Sequence, residues 1–254
     1  MLNFFQMGLS IQETFLNLFV FLIALVFSFS IHEYMHAWMA YKCGDDTAKL
    51  KGRLTMRPLS HIDPIGFLMV FFVGFGWARP VPINPNKMTR FKNKNTSIRL
   101  VSLAGVSMNF LVCFVANLLL GFLTIFCLKT GRADILRYAN PMTIPVMMSF
   151  LDVILLIAIG LLTYLTWLNL ILMAFNLLPL PPLDGYRFLE SFFPLPLKAK
   201  AQVYEKYAYT IFLILILIGY TTDISILGWI INKVTMPVEF ILDNVTRFLF
   251  GIFL

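Results

Sequence analysis

Charge is scarce in this chain. Of its 254 residues only 13% are Asp, Glu, Lys or Arg, against 59% hydrophobic, and the mean hydropathy is +0.81. A soluble domain of this length carries nearer a quarter charged residues, so an ordinary water-soluble fold is excluded. Cysteine is equally sparse. Cys43, Cys113 and Cys127, two of them in an apolar run, make neither a disulfide framework nor a cysteine zinc knuckle, and they read as packed or loop thiols. No Lys or Arg precedes Lys42. The first apolar run therefore lacks the basic start of a signal peptide, and it also lacks a small-residue cleavage site, so it is expected to stay in the mature protein. Linkers, low-complexity tracts and internal repeats are missing too. A single membrane-embedded domain over residues 1–254 is the expectation.

What the chain does have is long apolar runs. Residues 14–32 carry no formal charge, and the apolar character resumes to about Tyr41. Further charge-free runs cover 100–128 and 153–183, the last ending in Pro179, Pro181 and Pro182, which stop a helix near Leu178. A fourth run covers about 207–231, broken only by Asp223. About 20 apolar residues cross a bilayer. After Pro237, helically spaced apolar residues alternate with Glu239, Asp243 and Arg247, which reads as an interfacial amphipathic helix, or else a fifth span. Residues 67–77 are apolar but too short to span, and they are set among Gly66, Gly74 and Gly76. They read as a re-entrant strand or hairpin whose unpaired edge can receive a substrate strand, with Phe71 and Val73 as substrate-contacting positions. The expected fold is thus an all-α polytopic membrane protein of about four transmembrane helices, five if the tail spans, with a re-entrant β-hairpin or loop between the first two.

Formal net charge is +7, and its placement carries the information. Between Lys42 and Arg99 stand eleven basic residues against three acidic ones, Asp45, Asp46 and Asp63. In a loop between spans this follows the positive-inside rule and calls for no nucleic-acid partner. The loop then lies in the cytosol, the N-terminus outside, and the protein is multi-pass in the cell membrane. The 129–142 loop, with Lys129, Arg132 and Arg137, must lie outside, against the same rule.

Within the first run the residues His32-Glu33-Tyr34-Met35-His36 form a His-Glu-x-x-His pattern. Residues four apart share a helical face, so both imidazoles can reach one metal ion while Glu33 stands beside the first. Zinc lowers the pKa of its water to about 7, and a carboxylate placed like Glu33 serves as general base. With three His and five Glu in the chain, chance produces this pattern on the order of once in a thousand such sequences. Ionisable groups inside an apolar span cost a few kcal/mol each unless paired or metal-bound. A catalytic zinc needs a third protein ligand. His61 reads as a surface-loop histidine, with gating or lining the site as its alternative. A carboxylate remains, and Asp184, just past the third run, sits at a depth comparable with His32 and His36 in this topology.

The pairing of His32-Glu33-Tyr34-Met35-His36 with Asn176-Leu177-Leu178-Pro179-Leu180-Pro181-Pro182-Leu183-Asp184-Gly185 resembles the site-2 protease family of intramembrane zinc metalloproteases. Gly52-Arg53-Leu54-Thr55, His61-Ile62-Asp63-Pro64-Ile65-Gly66, the 75–85 stretch and Ala104-Gly105 with Asn109 resemble it as well, over about residues 10–190. Two positions depart from the family's usual pattern, Val106 after Ala-Gly and Tyr186 after Asp-Gly. The resemblance implies a compact member without PDZ or CBS module that cleaves transmembrane protein substrates in the lipid bilayer. It assigns Zn2+ to His32, His36 and Asp184 and base catalysis to Glu33. It also gives Asn109 and Asn176 a role in oxyanion or substrate positioning, interhelical hydrogen bonding being the alternative.

Rival readings are a non-hydrolytic zinc-binding membrane protein, either transporter or pseudoprotease, and a protease trimming lipidated C-termini. A transporter wants several metal-binding groups along a path, a pseudoprotease is expected to lose Glu33, and the third class needs a helical Glu ligand, for which Glu190 is the nearby residue.

Overall fold

The computed structural model describes residues 8–73, 76–139, 142–144, 148–222 and 225–251. The elements in chain order are α1 (Ile11–Lys42), α2 (Thr47–Leu50), α3 (Pro64–Val73), α4 (Lys94–Lys129), α5 (Asp134–Tyr138), α6 (Phe150–Asn176), α7 (Asp184–Glu190), α8 (Leu195–Thr221) and α9 (Ile226–Phe250). Among the described residues there is no strand, only the isolated antiparallel bridges Ile62–Ala78 and Ala139–Met142. Among the described residues three helices, α1, α4 and α6, are long and apolar enough to cross a membrane.

Their surfaces fit a lipid solvent. Along α1, Ile11, Phe15, Phe19, Ile23 and Phe27 are exposed at a four-residue interval, while Ala24, Ser28, Ala37 and Ala40 are fully buried. Small residues let helix backbones approach closely where lipid supplies no hydrophobic drive between them. Cys43, Cys113 and Cys127 are free and buried, as packed thiols should be.

Two expectations are corrected. Residues 64–73 form the helix α3 and not a strand. An isolated bridge joins Ile62 to Ala78 on either side of it, but a helix satisfies its amides internally and offers no strand edge. Phe71 and Val73 are therefore helical, and Gly74 and Phe75 lie outside the described residues. The fourth apolar run is likewise not one helix. The segment α8 ends at Thr221, and α9 starts at Ile226 and continues through Pro237 to Phe250. Of the long helices α9 segregates its apolar residues most strongly to one face, which agrees with an amphipathic tail but places its start eleven residues before Pro237. Asp223 lies outside the described residues.

The chain divides into two compact units. One comprises Met1–Ser28, Leu111–Leu170 and Pro237–Leu254, and the other Phe29–Phe110 and Ile171–Met236. The first is tied by buried amides. Asn17 exchanges hydrogen bonds with the Met142 backbone at 2.8 and 3.0 Å and accepts from Tyr164, and Asn169 donates to Ser28. The second contains every residue of the metal centre.

Candidate metal centre

One turn of α1 separates His32 from His36, so their rings stack along one face, edge to face with centroids 4.6 Å apart. Opposite them runs α4, whose Gly105 makes the approach feasible. A Cβ built there would overlap His36 Nε2 and stand 2.6 Å from His32 Cε1. Val101, one turn earlier, offers its carbonyl to His36 Nδ1 at 2.8 Å. That bond puts the ring proton on Nδ1 and leaves the Nε2 lone pair facing inward.

Asp184 comes from the other end of the sequence. The chain after α6 turns through hydrogen bonds from Leu178 to Phe175 and from Leu183 to Leu180, and α7 begins at Asp184. Gly185 lies so close to the end of α6 that a Cβ there would overlap the Leu177 carbonyl. Arg99 of α4 holds the far end of α7, donating to Ser191 Oγ at 2.9 Å and stacking 3.5 Å over the Phe192 ring.

Asp184 Oδ2 is thereby 3.2 Å from His32 Nε2 and 3.0 Å from His36 Nε2, and the two nitrogens are 3.0 Å apart. Three tetrahedral ligands at about 2.0–2.1 Å from a zinc ion sit about 3.3 Å from one another, so the triangle fits. The donor chemistry fits as well. With His36 protonated on Nδ1, lone pairs converge, and Asp184 Oδ2 is buried without a hydrogen-bond donor. A cation relieves that repulsion. Among the described residues these three are the group able to hold a metal. Glu190, the ligand required by the rival protease class, is not in it.

Glu33 is buried beside His32, and its Oε2 accepts the Val81 N–H at 2.9 Å. The segment carrying Val81 is anchored on both sides. Arg79 N–H donates to the His61 carbonyl at 2.8 Å, Arg53 donates to the Arg79 carbonyl at 2.6 Å, and Asn84 N–H donates to the buried Asp45. His61 is not a surface residue. It is fully buried, with Nε2 2.7 Å from the Thr55 carbonyl, and it acts as scaffold for the segment over Glu33. Sequence reasoning missed both Val81 and Asp45. The Pro80-Val81-Pro82 spacing, which leaves one N–H among three residues, was the available signal.

Asn109 lies one turn after Gly105 on α4, fully buried, with neither amide atom hydrogen-bonded. Asn176, the last residue of α6, donates to the Leu172 carbonyl of its own helix at 2.9 Å. The side chains of Phe71 and Val73 lie outside the described residues.

The family described as Peptidase family M50 matches residues 20–219. The chain is 41% identical over 196 residues to "Putative zinc metalloprotease YwhC" of Bacillus subtilis (strain 168), covering 76% of this chain and 78% of that protein. It is 27% identical over 184 residues to "Putative zinc metalloprotease Rip2" of Mycolicibacterium smegmatis, covering 70% of this chain and 59% of that protein. No solved structure matches it. A family match over most of the chain meets a donor triangle sized for zinc, and the protein belongs to peptidase family M50, the site-2 protease family of zinc metalloproteases.

Proposed function

We propose that this protein hydrolyses peptide bonds within or beside the membrane-spanning segments of other membrane proteins. His32, His36 and Asp184 hold the zinc, and Glu33 is the general base. The observation that carries this reading is the convergence of two imidazoles and one carboxylate within about 3 Å, beside a carboxylate that is not a ligand. Zinc bound there supplies an acidified water and polarises the peptide carbonyl. Glu33 takes the proton from the attacking water and returns it to the leaving amine. The Val81 N–H keeps Glu33 oriented, and the unpartnered Asn109 amide is available to the developing oxyanion. A transporter reading lacks a second group of ligands among the described residues.

All these residues fall in one compact unit of what we read as a single protease domain. With three crossings by α1, α4 and α6, we read the N-terminus as outside, because the loop after α1 is the basic one. The basic residues 42–99 and the metal centre then lie toward the cytosol. The test is membrane proteomics of cells carrying the intact protein or Glu33→Gln. Membrane proteins should accumulate uncut with Glu33→Gln, and identical proteomes would overturn the reading.

A further inference from the structure

Beside the metal centre lies a cavity of about 470 Å³ with two carboxylates for which peptide hydrolysis has no use. Ile83, Met88 and Val101 make its apolar side, and Tyr186, Glu190 and Glu205 its polar side. Its volume is in the range of about 300–1,000 Å³ typical of ligand sites and exceeds the needs of one side chain. Two of its lining residues neighbour the ligands in the chain or by a hydrogen bond. Val101 is the residue whose carbonyl orients His36, and Tyr186 is two residues beyond Asp184. A peptide bound at the metal would run along α4 and α7, the same two helices that help line this space.

The polar side is prepared for a cation. Tyr186 is only 6% exposed; its hydroxyl lacks a well-formed hydrogen bond but faces Glu205, and burial first and that carboxylate second hold it protonated. Glu190 and Glu205 are half-buried, and neither is in an ion pair among the described residues. Arg187 also borders the cavity but is exposed and pairs with neither. Two ionised carboxylates only accept hydrogen bonds, so the complementary group is an ammonium or guanidinium. The walls come from the first turns of α4, the chain just past α6, the basic loop, α7 and the first half of α8, which is the end where the spans meet charged sequence. At that depth a substrate's own span gives way to its flank, and cytosolic flanks are rich in Lys and Arg.

We propose that this cavity is a specificity subsite for an apolar residue followed by Lys or Arg at the cytosolic flank of the substrate's membrane-spanning segment. Glu190, Glu205 and the Tyr186 hydroxyl receive the cation. The inference rests on the proteolytic reading above and names the substrate class for it. Electrostatic complementarity of this kind selects partners by rejecting like charge.

The experiment uses the full-length, zinc-loaded protein in zwitterionic liposomes and three single-span peptides that differ only in the flank: Leu-Lys-Lys, Leu-Gln-Gln or Leu-Glu-Glu. Binding is measured on Glu33→Gln, which cannot consume the peptide. The Lys flank should bind about tenfold more tightly than the Glu flank, the scale of a charge-assisted pair in a half-buried site. Adding Glu190→Gln and Glu205→Gln should bring the ratio within about twofold, and Tyr186→Phe should narrow it less. Helix content and zinc per chain confirm that each variant is folded. Equal binding of the three peptides overturns the subsite, as does a preference that survives the double substitution. Cleavage by the unmutated protein is a separate outcome. A peptide bound with the Lys preference yet never cut would leave the subsite standing and remove the hydrolytic reading.

Discussion

The Val81 N–H donates to Glu33 Oε2 at 2.9 Å, and it is the one amide hydrogen in Pro80-Val81-Pro82. Proline on either side holds the backbone extended and withholds competing donors. The carboxylate beside the metal ligands is thus oriented by an element that belongs to no span, and that element is itself fastened through His61, Arg53 and Asp45.

Val81→Pro removes this donor together with the side chain that packs on Ala37 and Ala48, and Val81→Ala controls for the lost packing. A hydrogen bond to a charged group contributes about 1.5–3 kcal/mol, so kcat on a single-span peptide should fall about ten- to a hundredfold with zinc retained. Val81→Ala, which keeps the N–H, should stay within about twofold of the unmutated rate. Full activity in the proline variant would show that Glu33 needs no such support.

Gly105→Ala places a methyl group against both imidazoles. Either α4 withdraws or the histidines rotate, and both spoil the triangle of donors. Zinc content after dialysis should drop well below that of the unmutated protein, and the melting temperature should fall. One zinc per chain at unchanged stability would mean that the helices separate at no cost.

Metal analysis separates ligand from base. Asp184→Ala and His36→Ala should lose zinc, since each removes one corner of the triangle. Glu33→Gln should keep zinc while losing at least about a hundredfold in rate, the usual contribution of a positioned base. Zinc-replete Asp184→Ala would remove that residue from the ligand set.

Orientation can be read by thiol labelling, because the native cysteines are all buried. In intact cells a cysteine at Lys129 should react with an impermeant reagent and one at Lys92 should not; both positions are exposed. The opposite pattern would invert the topology and move the metal centre to the other face.

Much of this was legible before any coordinates. The His32, Glu33 and His36 pattern has fixed helical spacing, so periodicity alone puts two ligands on one face. Asp184 was within reach because α6 ends where the prolines require, which brings a late carboxylate to the depth of the early histidines. The 67–77 stretch reads as a re-entrant strand or hairpin although its residues 67–73 are helical, because a short apolar run between glycines has no periodicity to tell the two apart. His61 was misjudged for a related reason: exposure depends on what packs over a loop, and Arg79 lies far along the chain.

Local chemistry therefore determined which residues can ligate and which segments must avoid water, since side-chain type and spacing suffice for both. Only the tertiary structure decided how the ligands are held. The Val101 carbonyl selecting the His36 tautomer, Gly105 admitting α4 against two imidazoles and Val81 fastening Glu33 are contacts between segments 48 to 73 residues apart, by the numbering of Glu33–Val81 and His32–Gly105. A backbone group carries no signature in the sequence, because every residue but proline offers the same N–H and C=O. Which of them meets the Glu33 carboxylate is set by the packing of the whole chain.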